Sequence, residues 1–439
     1  MSQSYSNIIV NPTATLKGVI TPPGDKSISH RSILINSVAN GSAHIKGFVP
    51  SDDCMSSVNL VRALGCSVDV KKLNDRVDVI VKGVGMFGYD EPNNVLDAGN
   101  SGTTARLMSG LLASRNITTI ITGDKSLRSR PMGRIVRPLR EMGSVVLGRN
   151  EGLNLPLVFA GGSLKGISYE MPVSSAQLKS ALLLAALRAN NKSTIIQPNI
   201  SRNHTETLLK SMGASVDVTG NSISVTPGEL HSVDITIPGD ISSAAFWLVA
   251  ASCHKNAELL VKNVGINESR AGVITVLKSM NANILVENIR VVAGEKVADI
   301  TIKSSTLKGT LIEGDIIPLL IDEIPIICVA AAMAEGTTIV KDASELRVKE
   351  TDRIKMTTEW LTKAGVNCEG TDDGMIIEGS GKINGGFYNS GSDHRIAMSL
   401  AVAGLIANSP ITVSHHESAN ISYPGFWETI NKITNSKLN

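Results

Sequence analysis

The chain has 439 residues, 42% of them hydrophobic and 3% aromatic, with a formal net charge of +2 at pH 7. That length exceeds one ordinary domain and predicts two of about 200 residues each. The near-neutral balance and the scarcity of aromatic rings exclude a basic tail or a stacking platform, so no nucleic-acid partner is expected.

The five cysteines, Cys54, Cys66, Cys253, Cys328 and Cys368, are scattered without a CxxC pair. They suggest neither a disulfide framework nor a zinc site, and they fit a reducing, cytoplasmic location. The first ten residues carry no basic residue followed by an apolar stretch, so no signal or transit peptide is expected. Apolar runs such as residues 181–187 are far too short to span a bilayer, so no membrane is expected.

Six stretches share one pattern, a polar turn followed by an Ala/Leu/Ile/Val-rich run that predicts a helix. The first, Gly24-Asp25-Lys26-Ser27, precedes the run 33–39. The second spans 100–106, after a short strand at Val95-Leu96-Asp97-Ala98, and precedes 107–113. The third, Pro172-Val173-Ser174-Ser175, precedes 181–189. The fourth, Pro238-Gly239-Asp240, precedes 244–251. The fifth, Ile321-Asp322-Glu323, precedes 326–334. The sixth, Ser392-Asp393-His394-Arg395, precedes 397–407. β-branched strands follow several of the runs, at Gly41, at 116–123, at Ser193 and at Gly336. A second helix then ends in Gly65, Gly143, Gly213, Asn281 or Gly365, residues that tolerate a left-handed cap, and another strand begins.

The chain therefore reads as six copies of one α/β unit of roughly 70 residues. Three units per domain is the simplest division, with Pro/Gly crossings near Pro22-Pro23-Gly24 and Pro238-Gly239. This gives one domain at 22–237 and a second at 1–21 plus 238–439, to which an N-terminal strand at 8–20 returns. Gly83-Val84-Gly85-Met86-Phe87-Gly88 matches GxGxxG after a strand, but Tyr89-Asp90-Glu91-Pro92 cannot open the required helix. It is rejected as a dinucleotide site.

The six helix starts differ in their charges. The first has Lys26, Ser27 and Arg31. The second has Asn100, Ser101, Thr103 and Arg106, with Arg128, Arg130 and Arg134 downstream, of which one is expected in a site. The third has Ser174, Ser175, Gln177 and Lys179, followed by Arg202. The fifth has Asp322 and Glu323. Residues 347–353 bring Arg347, Lys349, Glu350, Asp352 and Arg353, and the sixth start has Asp393, His394 and Arg395. Helix N-termini attract anions, because their first N–H groups lack partners and the macrodipole is positive there. Pointing inward, these starts would form a cleft for polyanionic small molecules, in which Asp322 and Glu350 supply acid–base chemistry. The competing readings are N-caps for the serines, solvated helix faces for Lys26 and Arg31, and surface ion pairs within 349–353. His415-His416 reads as surface rather than metal ligand.

Gly24-Asp25-Lys26-Ser27-Ile28-Ser29-His30-Arg31, Gly99-Asn100-Ser101-Gly102-Thr103-Thr104-Ala105-Arg106, Arg347-Val348-Lys349-Glu350-Thr351-Asp352-Arg353 and Asp393-His394-Arg395 resemble the EPSP synthase family (3-phosphoshikimate 1-carboxyvinyltransferases). The likeness runs from residue 13 to residue 426, and the forms around Gln177 and Gly102 resemble bacterial members of the second class. It implies an α/β fold, a two-domain inside-out α/β barrel of six βαβαββ units, three per domain, closing over the substrates. It implies transfer of the enolpyruvyl group of phosphoenolpyruvate to the 5-hydroxyl of shikimate 3-phosphate, without metal or cofactor, by a monomer that glyphosate inhibits.

The resemblance also implies roles. Lys26 touches both substrates and ranks with Asp322 and Glu350 as catalytic. Ser27 and Arg31 hold the shikimate ring, and Ser175, with Ser174, and Arg202 hold its 3-phosphate. Gln177 touches both ligands and Lys349 bridges them. Asn100, Gly102, Arg130, Arg353 and Arg395 bind phosphoenolpyruvate. Asp322 takes the proton of the 5-hydroxyl, and Glu350 gives a proton to the methylene carbon and later removes one. Ile421 and Glu345 depart from residues that some members carry, Lys and Asn respectively. Two alternatives stand beside this reading. One is the sister transferase acting on UDP-N-acetylglucosamine, which uses a Cys in a Pro-Gly-Gly-Cys context absent here. The other is a non-catalytic anion-binding protein, against which Asp322, Lys349 and Glu350 argue together.

Overall fold

The computed structural model describes residues 6–73, 76–114 and 117–434, so Asn116, at the head of the strand expected at 116–123, lies outside them. The chain divides into two compact units, Gly24–Ile237 and Met1–Pro23 with Pro238–Asn439. The first crossing thus falls after Pro23, not before Pro22. The backbone gives the reason: Asp240 N–H donates to Pro23 O at 2.9 Å, tying Pro23 to the second unit.

Each unit carries three sheets; among the described residues five of the six share one four-strand topology and the sixth has three strands. In Gly24–Ile237 the strand orders are Leu96–Asp97, Thr119–Thr122, Asn154–Phe159, Val146–Arg149; then Ser168–Glu170, Ser193–Ile196, Ser222–Val225, Val216–Thr219; then Ile235–Thr236, Asn40–Lys46, Val77–Val84, Ser67–Lys72. In every sheet the first two strands are parallel and the other pairings antiparallel. The second unit repeats the pattern with Leu16–Ile20 beside Ala257–Gly265 and with Leu311–Ile312 beside Gly336–Val340. Its third sheet has Gly386–Asn389 parallel to Ile411–Ser414 and is closed by antiparallel Asn7–Val10. A parallel pair needs a crossover, and in the pairs within 96–122, 168–196, 311–340 and 386–414 the crossover is the helix that a polar start opens. Strand, helix, strand, helix, strand, strand is a βαβαββ unit, visible without a break in residues 96–159 and 168–225.

The expected single strand at 8–20 is two strands in two sheets. Asn7–Val10 pairs with Ile411–Ser414 and Leu16–Ile20 with Ala257–Gly265. Between them Thr13 N–H donates to Leu405 O and Leu16 N–H to Asn256 O, so the backbone changes partner. Leu16–Ile20 supplies the first strand of the fourth repeat, with the whole Gly24–Ile237 unit inserted before the helix that follows it.

The helices opened by the six polar starts are α1 (Lys26–Asn36), α2 (Gly102–Leu112), α3 (Ala176–Ala186), α4 (Ile241–Cys253), α5 (Ile324–Met333) and α6 (His394–Ile406). Side chains of Asp25, Ser101, Ser175, Asp240 and Asp393 cap five of them, each accepting from a backbone N–H of the first turn. Helices α4 and α6 are buried nearly all round: only Cys253 and Ile406 escape burial in them. Within Gly24–Ile237, α2 packs against both α1 and α3. A methyl group on Gly110 would come 2.2 Å from Ala181 O, so glycine sets the α2–α3 approach. Each unit has its own hydrophobic core. Much of the sparse aromatic content is spent in one of them, where Trp247 stacks on Phe426 and donates to Tyr423 Oη at 2.9 Å. Among the described residues no single helix is long and apolar enough to cross a membrane. Gly88 is followed by an irregular loop and the short strand Leu96–Asp97, so the rejected GxGxxG stretch opens no helix.

Candidate active site

In the Gly24–Ile237 unit the helix starts gather cations. Lys26, the first residue of α1, lies 3.1 Å from Asp53, whose own helix begins at Asp52 behind a Ser51 cap. Beside it Ser27 Oγ accepts from Arg202 Nη1 at 3.3 Å. Arg31 is buried: Nε donates to Thr205 Oγ1 at 2.7 Å, Nη2 to Ser180 Oγ at 2.9 Å and Nη1 to Ser27 O at 3.0 Å. Its guanidinium therefore braces Ser27 from below as well as adding charge. Ser175 caps α3 through Leu178 N–H. Ser174 clamps Asn199, accepting from its N–H at 2.9 Å and donating to its C=O at 3.1 Å, which fixes the loop leading to Arg202.

A second group surrounds Gly102. Arg106 Nη1 donates to Gln177 Oε1 at 2.7 Å, and Gln177 Nε2 donates to Thr103 Oγ1 at 3.0 Å. Arg130 Nη2 donates to Asn100 Oδ1 at 2.7 Å, and Asn100 Nδ2 donates to Asp124 at 2.7 Å. A Cβ on Gly102 would stand 2.6 Å from Arg106 Nη1 and 3.5 Å from Arg130 Nη1, so both guanidinium groups border the bare Cα. Of the three downstream arginines, Arg130 is buried, whereas Arg128 is only half-buried and its Nη1 donates to Gly123 O.

The expectation for Lys179 fails. Its side chain has no exposed surface, lies 2.6 Å from Glu206 and donates to Gln197 Oε1 and Ser201 O. Burial lowers its pKa, and Glu206 works against that shift. Lys179 is a buried anchor under the loop that bears Arg202, not a cation facing a ligand.

In the other unit Arg353 is the hub. It is buried, with Nε 2.9 Å from Asp393, Nη1 3.3 Å from Asp322 and Nη2 2.6 Å from Glu350. Burial would lower its pKa, but Asp393, Glu350 and Asp322 outweigh it and raise the value well above the ordinary one. Lys349 lies 3.2 Å from Asp322. Asp322 and Glu350 thus share one guanidinium, and these are not exposed helix-face pairs; in the same segment Arg347 and Asp352 form a separate, half-buried pair. Asp393 has three functions: it caps α6 through Arg395 N–H, accepts from Thr351 Oγ1 and pairs with Arg353. Arg395 is buried beside the fully buried Glu323, 3.5 Å away.

Sequence reasoning missed several polar groups. One is the buried chain in which Ser57 Oγ lies 2.8 Å from His30 Nδ1 and 2.7 Å from Thr104 Oγ1, with Ser101 beyond. Others are Asp53, Glu206, Arg270 and Ser242. The signals were weak, because each is a common residue whose partner lies tens of positions away. Among the described residues no group of three or more His, Cys, Asp or Glu is arranged to hold a metal ion.

Residues 10–430 match the family model for EPSP synthase (3-phosphoshikimate 1-carboxyvinyltransferase). The chain belongs to the EPSP synthase family. It is 48% identical over 428 residues to the 3-phosphoshikimate 1-carboxyvinyltransferase of Thermoanaerobacter sp. (strain X514), covering 97% of this chain and 100% of that one. The enzyme of the same name from Bacillus thuringiensis (strain Al Hakam) is 48% identical, with 97% and 99% covered. The solved EPSP synthase of Acinetobacter baumannii superposes with a TM-score of 0.87 at 42% identity, covering 99% of this chain and 100% of that one. The enolpyruvyl transferase NikO of Streptomyces tendae shares the fold at 15% identity, with a TM-score of 0.80 and 99% of each chain covered.

Proposed function

We propose that this chain transfers the enolpyruvyl group of phosphoenolpyruvate to the 5-hydroxyl of shikimate 3-phosphate, releasing phosphate, as a 3-phosphoshikimate 1-carboxyvinyltransferase (EC 2.5.1.19) on the shikimate pathway to chorismate and aromatic amino acids. The observation that carries the reading is the tie of Asp322 and Glu350 to Arg353, within a chain 48% identical to enzymes of that name. Lys26, Ser27, Arg31, Ser175, Gln177 and Arg202 take shikimate 3-phosphate, together with Asp322 and Lys349. Asn100, Gly102, Arg130, Arg353 and Arg395 take phosphoenolpyruvate, with Lys26 and Gln177 shared. Guanidinium forks suit this task because they match carboxylate and phosphate oxygens two at a time.

In the addition step, protonated Glu350 delivers its proton to the methylene carbon of phosphoenolpyruvate. The 5-hydroxyl oxygen bonds to the adjacent carbon and its proton passes to Asp322, leaving a tetrahedral intermediate. Elimination removes one methyl proton to Glu350, reforms the double bond and breaks the carbon–oxygen bond to phosphate. Positive charge develops at the attacked carbon, so carboxylates placed beforehand lower the barrier, while the fixed cations hold the phosphate and carboxylate groups of the substrates. Burial pushes up the thiols of Cys54, Cys253 and Cys328, and that of Cys368 to about 12, which disfavours a cysteine acid of the kind the UDP-N-acetylglucosamine enzymes use.

The same reading includes a cytoplasmic, monomeric enzyme that glyphosate inhibits. Mass spectrometry of the reaction mixture tests the chemistry: an enolpyruvyl ether of shikimate 3-phosphate is the expected product, and unchanged substrates contradict the proposal. Undiminished activity in millimolar glyphosate at limiting phosphoenolpyruvate contradicts the inhibitor assignment.

A further inference from the structure

Helices α4, α5 and α6 pack against one another pairwise, and their starts meet in a buried polar cluster. Ser242 stands two residues after the Asp240 cap of α4, and Arg395 two residues after the Asp393 cap of α6. Glu323 occupies the N-cap position of α5 but makes no cap hydrogen bond. Its side chain has no exposed surface. Oε1 accepts from the Ser242 hydroxyl and lies 3.5 Å from Arg395 Nη1, while Oε2 has no hydrogen-bond partner among the described residues. Arg270, also buried, donates from Nη2 to Ser242 Oγ at 2.5 Å and to Asp240 at 3.2 Å.

A carboxylate at this depth is a poor choice for stability, since burying a charge is costly and a well-packed apolar side chain serves as well. Half of its hydrogen-bonding capacity is left unused. What the charge does provide is a fixed point for Arg395. Glu323 is the one ion-pair partner of that guanidinium among the described residues, and Arg395 Nε has no hydrogen-bond partner. Arg353, in contrast, is taken up by three carboxylates. A guanidinium held at one nitrogen, with further N–H donors uncommitted, is a prepared receptor for an anion.

We propose that Glu323 is a positioning residue for Arg395, oriented in turn by Ser242 and Arg270, and that through Arg395 it sets the affinity for phosphoenolpyruvate. The proposal rests on the assignment of Arg395 to that substrate. It separates Glu323 from its neighbour Asp322, which faces Lys349 and Arg353.

Steady-state kinetics of Glu323→Gln in the full chain tests this, with each substrate varied at saturating levels of the other. Gln keeps the bond to Ser242 and removes the charge. The KM for phosphoenolpyruvate is expected to rise at least about tenfold, the scale seen when a buried charge pair loses one partner. The KM for shikimate 3-phosphate stays within about twofold of the unmodified chain, and Glu323→Asp recovers part of the loss. Equal changes in both KM values, or none, overturn the proposal. If Glu323→Gln does not fold, Ser242→Ala decides: a selective rise in the phosphoenolpyruvate KM supports positioning and an unchanged value overturns it. An unmodified chain without turnover defeats the proposed function instead. Calorimetric titration with inorganic phosphate then tests Glu323 separately: weaker binding in Glu323→Gln supports it, and equal binding overturns it.

Discussion

Arg353 donates a 2.6 Å hydrogen bond from Nη2 to Oε2 of Glu350, three residues before it. The same planar fork reaches Asp322 and Asp393, so one cation organises both proposed acid–base carboxylates and the cap of α6. An ammonium group is a point charge and cannot span three carboxylates. Arg353→Lys is therefore expected to lower kcat at least about a hundredfold, the scale of general acid–base contributions. Stopped-assay phosphate measurements would check it, and turnover within about threefold of the unmodified chain would contradict the role given to Arg353.

Gly102→Ala adds a methyl group whose nearest neighbour is the tip of Arg106, which can move. Alanine also favours the helix start over glycine by up to about 1 kcal/mol. Thermal stability should hold or rise, while the KM for phosphoenolpyruvate rises about tenfold, equivalent to about 1.4 kcal/mol, and glyphosate inhibition weakens. A melting curve and a kinetic titration on the same sample separate the two effects. Loss of stability with unchanged KM would show that Gly102 serves packing alone.

Lys179→Met leaves Glu206 as a buried, unpaired charge. Breaking such a pair from one side costs about 3–5 kcal/mol, which urea unfolding would register. The contacts to Gln197 and Ser201 vanish too, so the loop before Arg202 loosens, and the KM for shikimate 3-phosphate should rise more than that for phosphoenolpyruvate. Full stability in this variant would rule out the anchor.

His30 gives stability a pH dependence. Burial first, then Lys26 and Arg31, hold its pKa well below 6.5, so it is neutral in the folded chain. The unfolded chain takes up a proton near pH 6.5 that the folded chain refuses. Stability is therefore complete above that pH and declines below it, by at most about 1.4 kcal/mol per pH unit, until the folded pKa is reached. Urea midpoints at neutral and mildly acidic pH should differ less for His30→Asn than for the unmodified chain; equal acid losses would contradict this.

The repeat was legible because each unit announces itself locally, with a cap such as Asp25 or Ser175 and an apolar run of helical length. The topology followed from short-range signals of that kind. The N-terminal segment was not legible, since residues 8–20 read alike as extended chain and only Leu405 and Asn256, far along the sequence, divide it into two strands. Charged residues behaved the same way. Lys179 looks like Lys26 in sequence, yet Glu206, 27 positions on, turns it inward. The union of Asp322, Glu350 and Asp393 on Arg353 depends on a segment and two helix starts that only the fold brings together.

Phosphate release by the purified chain, with phosphoenolpyruvate and shikimate 3-phosphate together and with each omitted in turn, tests the central claim most directly. Release that requires both substrates is the predicted result. Release with UDP-N-acetylglucosamine in place of shikimate 3-phosphate, or no release despite binding of either anion, would contradict it.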